Sequence, residues 1–357
     1  MESHSPMSDT IVPATQNELA TEADASGIAT LEPPVETEVV ETESSSTKPL
    51  TISEERQLII DFHDPANLTW KNLDWLTLVW TGVMHVGAVA ALFFFTWPAF
   101  ICFLVMHWLT ASIGICMGYH RYLSHKTMKL KPPAEFFAML CGTLSAEGSP
   151  LDWAATHRLH HQKSDQKGDP HSPNNDNWWS HLLWLFVKPP KGHWERTHRL
   201  YVPELLDRPM IRFFQKFEFA LLLGSGVVLY LIGGLPMLLW GLCMRMVVAY
   251  HSTWFVNSAT HIWGYRNYET RDRSRNLWWV ALLSYGEGWH NNHHAHPSVA
   301  PAGHRWWEID MTWMAIRFLR FIGQAYDVKD KIPDRSSRKA GVDENDAPAN
   351  PIPAATT

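Results

Sequence analysis

The apolar residues of this chain fall in long unbroken runs rather than in the short alternations of a water-soluble fold. No charged residue occurs between Trp75 and Thr96, and after the Trp97-Pro98 break a second uncharged run extends from Ala99 to Tyr119. Each reaches the roughly 20 residues that a helix needs to cross a hydrocarbon core of about 30 Å. So little chain separates them that a hairpin is expected. Residues 219–232 and 237–256 are expected to form a second hairpin around a Gly-Gly-Leu-Pro turn. Its first arm is barely long enough, and Arg245 interrupts the second, which requires the guanidinium to face protein or an interface. The pattern predicts an all-α integral membrane protein with four transmembrane helices in two hairpins.

Two hairpins with tiny turns leave the polar bulk on one face: both tails, residues 120–215 and the segment after 257. That bulk carries the arginines and lysines, and the positive-inside tendency places it, with both termini, in the cytoplasm. Shorter apolar stretches at 136–144, 178–187 and 277–283 are too brief to cross and read as interfacial or cap helices. Ile309, Trp313, Ile316 and Leu319 or Arg320 recur at helical steps and predict a final amphipathic helix over about 306–326. The 19 tryptophans and 16 phenylalanines crowd the edges of the apolar runs, where amphipathic rings suit a membrane interface.

Charge alters this picture only at the ends. Ten of the 36 acidic residues but one of the 30 basic ones lie in residues 1–50, leaving 29 basic against 26 acidic residues elsewhere. The net negative charge therefore belongs to a tail and says nothing about substrate. Residues 1–50 and 331–357, rich in small, polar and Pro residues, read as disordered tails around a membrane domain of 51–330. No basic-then-apolar signal peptide opens the chain, and no nucleic-acid partner is expected. Cys102, Cys116, Cys141 and Cys243 sit in apolar surroundings without the short spacing of a redox or zinc pair, and read as buried thiols.

Histidine supplies the candidate chemistry. If 157–161 is helical, the 3.6-residue period puts His157, His160 and His161 within an arc of roughly 100°. The spacing recurs at His290, His293 and His294. A looser pair, His120 and His125, closes the second apolar run and can share a metal only if the helix unwinds there. Asn257 and His261, four apart at the end of the last run, form a further donor pair on one face. Nine histidines and an amide on one side of the membrane suffice for two metals with open positions, and imidazole suits iron, copper, zinc and nickel. His85, His107, His181, His193, His198, His251, His296 and His304 read as polar residues at helix ends. Two nitrogen-bound metals beside a bilayer suggest oxygen chemistry on a molecule dissolved in it, because an unactivated C–H bond needs an oxidant made at iron from O2. No carboxylate-pair signature of Glu-x-x-His on bundle helices marks the soluble di-iron design. Asp165, Asp169 and Glu287 either orient ligand imidazoles through the second ring nitrogen or are solvated loop acids.

His-Arg-Tyr-Leu-Ser-His at 120–125, His-Arg-Leu-His-His at 157–161 and Gly-Trp-His-Asn-Asn-His-His at 288–294 are the three boxes. Together with Gly-Asp-Pro-His, Val-Asn-Ser-Ala-Thr-His and Trp-Trp-Glu-Ile-Asp, they resemble the membrane fatty acid desaturase family, its stearoyl-type Δ9 branch in particular. The likeness covers about residues 70–330. It implies four spanning helices under a cytosolic helical cap, a centre of two iron ions, O2 as co-substrate, and a cis double bond near carbon 9 of a saturated acyl chain. By the same resemblance His120, His125, His157, His160, His161, His261, His290, His293 and His294 are the iron ligands, Asn257 reaches iron through water, and no catalytic residue beyond the ligands is assigned. Trp153, Thr253 and Trp254 match residues lining the kink of a bent acyl tunnel, where rigid aromatics would fix which methylene pair reaches the oxidant. Without the resemblance, a tryptophan at a span end reads as an interface anchor.

Two departures stand out. Glu147 replaces the glutamine that many relatives carry ten residues before the second box, at a position of the tunnel bend. Ala155 and Thr156 replace the Arg-Asp of animal acyl-CoA enzymes, which leaves an acyl lipid at least as plausible a substrate as acyl-CoA. With no flavin, NAD or fused cytochrome b5 signature in the chain, electrons are expected from a separate carrier of ferredoxin or cytochrome b5 type. Arg271, Arg273 and Arg275, with Lys188 and Lys191, offer it a basic surface, or else meet lipid phosphates. The rival readings are a fatty acyl or sterol hydroxylase on the same scaffold and a non-catalytic membrane metal-binding or transport protein.

Overall fold

The computed structural model describes residues 50–332. Apart from residues 50, 331 and 332, both expected tails lie outside that range. Helix α1 (Ile52–Phe62) opens on a capping box in which Thr51 and Glu54 satisfy each other's backbone amides. Asp74 caps α2 (Trp75–Ala91) by accepting from the Thr77 amide. One face of α2 is apolar and uncovered: Val79, Val83, Val86 and Val89 are each more than half exposed, while Thr81, Met84, Ala88 and Ala91 are buried. An apolar face of this kind, continued by Leu223, Val227 and Leu231 on the second long helical run, suits lipid rather than water.

The break after α2 falls at residues 92–96, not at Trp97-Pro98. That dipeptide starts α3 (Trp97–His107): the Thr96 side chain accepts from the Ala99 amide, and Pro98 occupies the first turn, where its missing N–H leaves nothing unsatisfied. From Trp108 to Ser124 the helix widens into a π-helix without interruption. Trp97–Ser124, 28 residues, and Pro209–Ile262, 54 residues, are long and apolar enough to cross a membrane. The second run is bent. Within α8 (Pro209–Leu238), Gly233 and Gly234 leave helical geometry, Gly234 at φ 64°, so the chain turns where Gly-Gly-Leu-Pro is found. A π-turn (Leu239–Met244), α9 (Arg245–Asn257) and α10 (Ala259–Ile262) complete it. Arg245 faces protein: it is fully buried and donates to the carbonyls of Gly241 and Leu144.

Helices α4 (Pro132–Thr143) and α5 (Pro150–Lys163) pack on the π-helix around Tyr119, Leu123, Met139 and Leu159. The approach is close because it uses glycine. A Cβ on Gly114 would lie 2.4 Å from the Gly142 amide nitrogen. Smaller elements build the cap: α6 (Asn177–His181) with a 3-10 turn (Leu183–Phe186), α7 (His193–Tyr201), α11 (Trp278–Leu283), α12 (His290–Ala295) and α13 (Met311–Phe321). The last helix is shorter than its apolar period suggests. Asp310 caps it at the Trp313 amide, leaving Trp306, Trp307 and Ile309 ahead of it. After it, Gly323 at φ 69° leads into β2 (Ala325–Tyr326), which pairs antiparallel with β1 (Lys129–Leu130).

Candidate metal centre

The π-helix decides how the first box is used. Its last turn closes with the His125 amide donating to the His120 carbonyl at 3.1 Å. This i to i+5 turn is wider than an α-turn, and it brings the two rings to 4.9 Å between centroids. The unwinding that a shared site requires thus takes the form of a widened turn. On α5, His157 and His161 are four apart and share a face, whereas His160 points to a neighbouring sector.

The nine histidines divide into two groups, each with one ring nitrogen per residue within 4.8 Å of the others: His120, His125, His157, His161 and His293, and then His160, His261, His290 and His294. Across the first, Nε2 atoms face each other at 2.7 Å (His125 and His157), 3.0 Å (His120 and His293) and 2.9 Å (His161 and His293). Across the second the separations are 3.0 Å (His261 and His290) and 3.4 Å (His160 and His294).

Acids fix the rings from behind. His160 Nδ1 is 2.9 Å from Asp169, His261 Nδ1 is 2.8 Å from Asp165, and His294 Nδ1 is 2.7 Å from Asp272. His120 Nδ1 faces Glu287 Oε2 at 2.9 Å. Asp272 was not among the acids picked out by their position in the sequence, because it sits between Arg271 and Arg273 and reads as part of a charged surface. An ionised carboxylate only accepts, so Nδ1 of His160, His261 and His294 carries the proton. In a neutral ring the Nε2 then presents a lone pair. When both rings are neutral, His160 and His294 therefore aim two lone pairs at each other across 3.4 Å, an arrangement that a cation between them would satisfy. Nitrogen donors converging in this way fit a transition metal.

The electrostatics agree. Burial, reinforced by neighbouring imidazoles, holds His157, His161, His290 and His293 well below the ordinary histidine range, so their lone pairs are free at neutral pH. For His160 burial acts the same way but is outweighed by Asp169, and the net shift is upward. Burial works to raise Asp165, Asp169 and Asp272, yet the imidazoles they face bring each below the usual carboxylate range.

A cavity of about 50 Å³ is lined by His120, His157, His160 and His290 from the two groups and by the apolar Ala111, Ile115 and Val256. Asn257, Trp153 and Thr253 also line it. Trp153 stacks on His157 at 5.0 Å. Thr253 donates to Glu147 at 3.0 Å, and Trp153 bonds to the same carboxyl. Burial pushes Glu147 up to about 8, so near neutral pH it holds a proton. Trp254 is not among the cavity's lining residues: it stacks on Tyr250 at 5.4 Å and meets His181 and His251. A wider polar cleft of about 260 Å³ lies behind Asp165, and none of the nine histidines lines it.

The Trp-Trp-Glu-Ile-Asp motif holds this scaffold. Arg121, next to His120 and 2% exposed, pairs with both oxygens of Asp310 at 2.9 and 3.1 Å and also with Glu287. Glu308 accepts from Tyr265, Asn267 and Asn292, which ties α12 to the loop before α11. Of the expected landing surface, Arg273 bonds Asn174 and Arg275 the Gly264 carbonyl. His85 and His251, inside α2 and α9, and His181, at the end of α6, stand in a hydrogen-bonded row at 3.2 and 3.1 Å.

The fatty acid desaturase family matches residues 95–326. The sn-2 palmitoyl-lipid 9-desaturase of Nostoc sp. is 42% identical over 262 residues, covering 73% of this chain and 92% of that protein. The sn-1 stearoyl-lipid 9-desaturase of Anabaena variabilis is 40% identical, covering 74% of this chain and 97% of that protein. Delta-9 acyl-lipid desaturase 1 of Arabidopsis thaliana is 41% identical over 76% of this chain and 87% of its own length.

Proposed function

This chain belongs to the fatty acid desaturase family, and from that premise we propose that it inserts a cis double bond near carbon 9 of a saturated acyl chain carried on a membrane lipid. The nine histidines would hold two iron ions, with Asn257 reaching one of them through water. The observation that carries the proposal is the gathering of nine nitrogen donors into two groups, four of whose histidines line a cavity together with Ala111, Ile115 and Val256. The names of the three relatives support position 9 and a lipid carrier. Ala155 and Thr156, without a basic side chain for a coenzyme A phosphate, favour the same carrier.

Bound iron would supply the O2-derived oxidant that an unactivated C–H bond demands. The chain's own residues do the rest. Ala111, Ile115 and Val256 give the methylenes an apolar wall. Trp153, fixed on His157 and bonded to Glu147 with Thr253, sets the bend that selects one methylene pair. Trp254 acts from behind α9, through Tyr250, rather than at the chain. Reducing O2 to two waters takes four electrons. The substrate gives two, so a separate ferredoxin-type or cytochrome b5-type carrier must give two, and the exposed Arg273 beside Asp165 offers it a cationic approach. The four apolar helical arms form two hairpins in a multi-pass topology, with the histidines and both termini on the cytoplasmic side.

The test is to express the chain in a host fed deuterium-labelled stearate and to analyse total lipids by mass spectrometry, beside a His157→Ala, His161→Ala control. A product lighter by two hydrogen isotopes, unsaturated between carbons 9 and 10 and absent from the control, is the expected result. A product heavier by one oxygen would make the chain a hydroxylase. No product despite full metal occupancy would leave a metal-binding protein.

A further inference from the structure

The two histidine groups are supported very differently. In the second, three of four rings are backed by carboxylates: His160 by Asp169, His261 by Asp165 and His294 by Asp272. In the first, among the described residues, His120 alone meets a carboxylate, Glu287. That carboxylate is shared with the buried guanidinium of Arg121 at 2.9 Å, which cancels much of its charge.

Among the described residues the other hydrogen-bond partners of the three aspartates are neutral, and the His171 ring 4.0 Å from Asp169 is held neutral by burial. Asp165 accepts from the Arg273 amide and the Ser172 hydroxyl. Asp169 takes the amides of Asp165 and His171. Asp272 takes Thr270 and Ser274. Their negative charge is thus turned toward the ligand rings. A ring whose Nδ1–H is held by a carboxylate is a more basic ligand through Nε2, and losing such a partner typically costs 10–100-fold in metal affinity.

Resting on the two-metal reading above, we propose that the metal positions are inequivalent. The one formed by His160, His261, His290 and His294 binds its ion more tightly and fills first, and Asp165, Asp169 and Asp272 are the positioning residues that make it so. The one formed by His120, His125, His157, His161 and His293 has more ligands but weaker ones, and releases its ion first. Ligand number alone gives the opposite order, so the two accounts separate cleanly.

Metal release shows which holds. The full chain, purified in detergent and loaded with Co(II), is mixed with excess chelator while cobalt absorbance and bound metal are followed. Native protein should release two ions per chain in two phases. Asp169→Asn and Asp272→Asn keep side-chain shape, and each should quicken the slow phase about tenfold while sparing the fast one. Glu287→Gln should alter the fast phase alone. Two ions leaving in one phase, or a slow phase that answers to Glu287→Gln and not to the aspartate variants, overturns the inequivalence and leaves the two-metal reading standing. Fewer than two ions per folded native chain overturns that reading, and this one with it.

Discussion

Asp310→Ala tests how the first box is held. Asp310 gives Arg121 two charge-assisted bonds, at 2.9 and 3.1 Å, accepts from the Ala302 amide at 2.7 Å, and caps α13 at the Trp313 amide at 2.8 Å. Arg121 is 2% exposed, so water cannot replace what alanine removes. Breaking a buried ion pair on one side costs roughly 3–5 kcal/mol, and losing the cap adds about 1 kcal/mol. At about 2–4 °C per kcal/mol for a large domain, the thermal midpoint should fall by roughly 10–20 °C. The assay is size-exclusion chromatography in detergent after graded heating. Asp310→Asn keeps the cap's acceptor and should fall about half as far. Combining Asp310→Ala with Arg121→Ala should cost less than the sum of the single changes, because the two remove the same pair of bonds, Arg121 being left after the first with Glu287 and the Ala300 carbonyl. A midpoint within 2 °C of native for Asp310→Ala, or additive single changes, would refute the reasoning.

Gly114→Ala should cost about 1–3 kcal/mol, since its Cβ would meet the backbone of Cys141 and Gly142 at 2.4–2.7 Å; Gly82→Ala, with nothing within 4 Å, is the matched control and should be neutral or better. Heating curves that rank them the other way would contradict the close helix approach. Glu147 predicts a pH dependence. Its native value, about 8, lies above its ordinary 4.5, so the folded state holds the proton longer, and stability is full below about 4.5 and declines as pH rises toward 8. The midpoint advantage of Glu147→Gln over the native chain should therefore widen from pH 5 to pH 8 and then level off; a constant gap would mean that the carboxyl is not withdrawn from water. Removing metal with a chelator should lower the midpoint, and adding Fe(II) should restore it. An unchanged midpoint would mean that the opposed nitrogens hold no ion.

The helical class and the two long apolar helical runs were legible because a helix able to cross a membrane shows as a nearly uncharged run, and the Gly-Gly-Leu-Pro turn as the kink at Gly233 and Gly234. What pattern alone missed are places where local chemistry overrides periodicity. Thr96 and Asp310 are caps that move a helix start, Thr96 to Trp97, ahead of the run expected from Ala99, and Asp310 to Met311, behind the start expected at about 306. The π-turn at His120–His125 leaves no mark in composition. In the site, spacing brought out the second and third boxes, since histidines at i, i+3 and i+4 fall within one arc of a helix, and the first only as a looser pair five apart. It could not divide nine rings between two groups, because the split of His160 from His157 and His161 depends on helices far apart in sequence. Asp272 escaped because its neighbours are arginines, and only the fold turns it inward to His294. Trp254 was placed with Thr253 at the tunnel kink by the family resemblance; of the two, Thr253 lines the cavity, and Trp254, the next residue on the helix, faces another direction and stacks on Tyr250.

X-ray absorption at the iron edge, with metal counting on the same purified chain, tests the central claim most directly. The account predicts two irons per chain in a sphere of nitrogen and oxygen donors without sulfur, reduced to less than two by His157→Ala or by His294→Ala. A single iron, a sulfur shell, or iron content indifferent to both substitutions would contradict it.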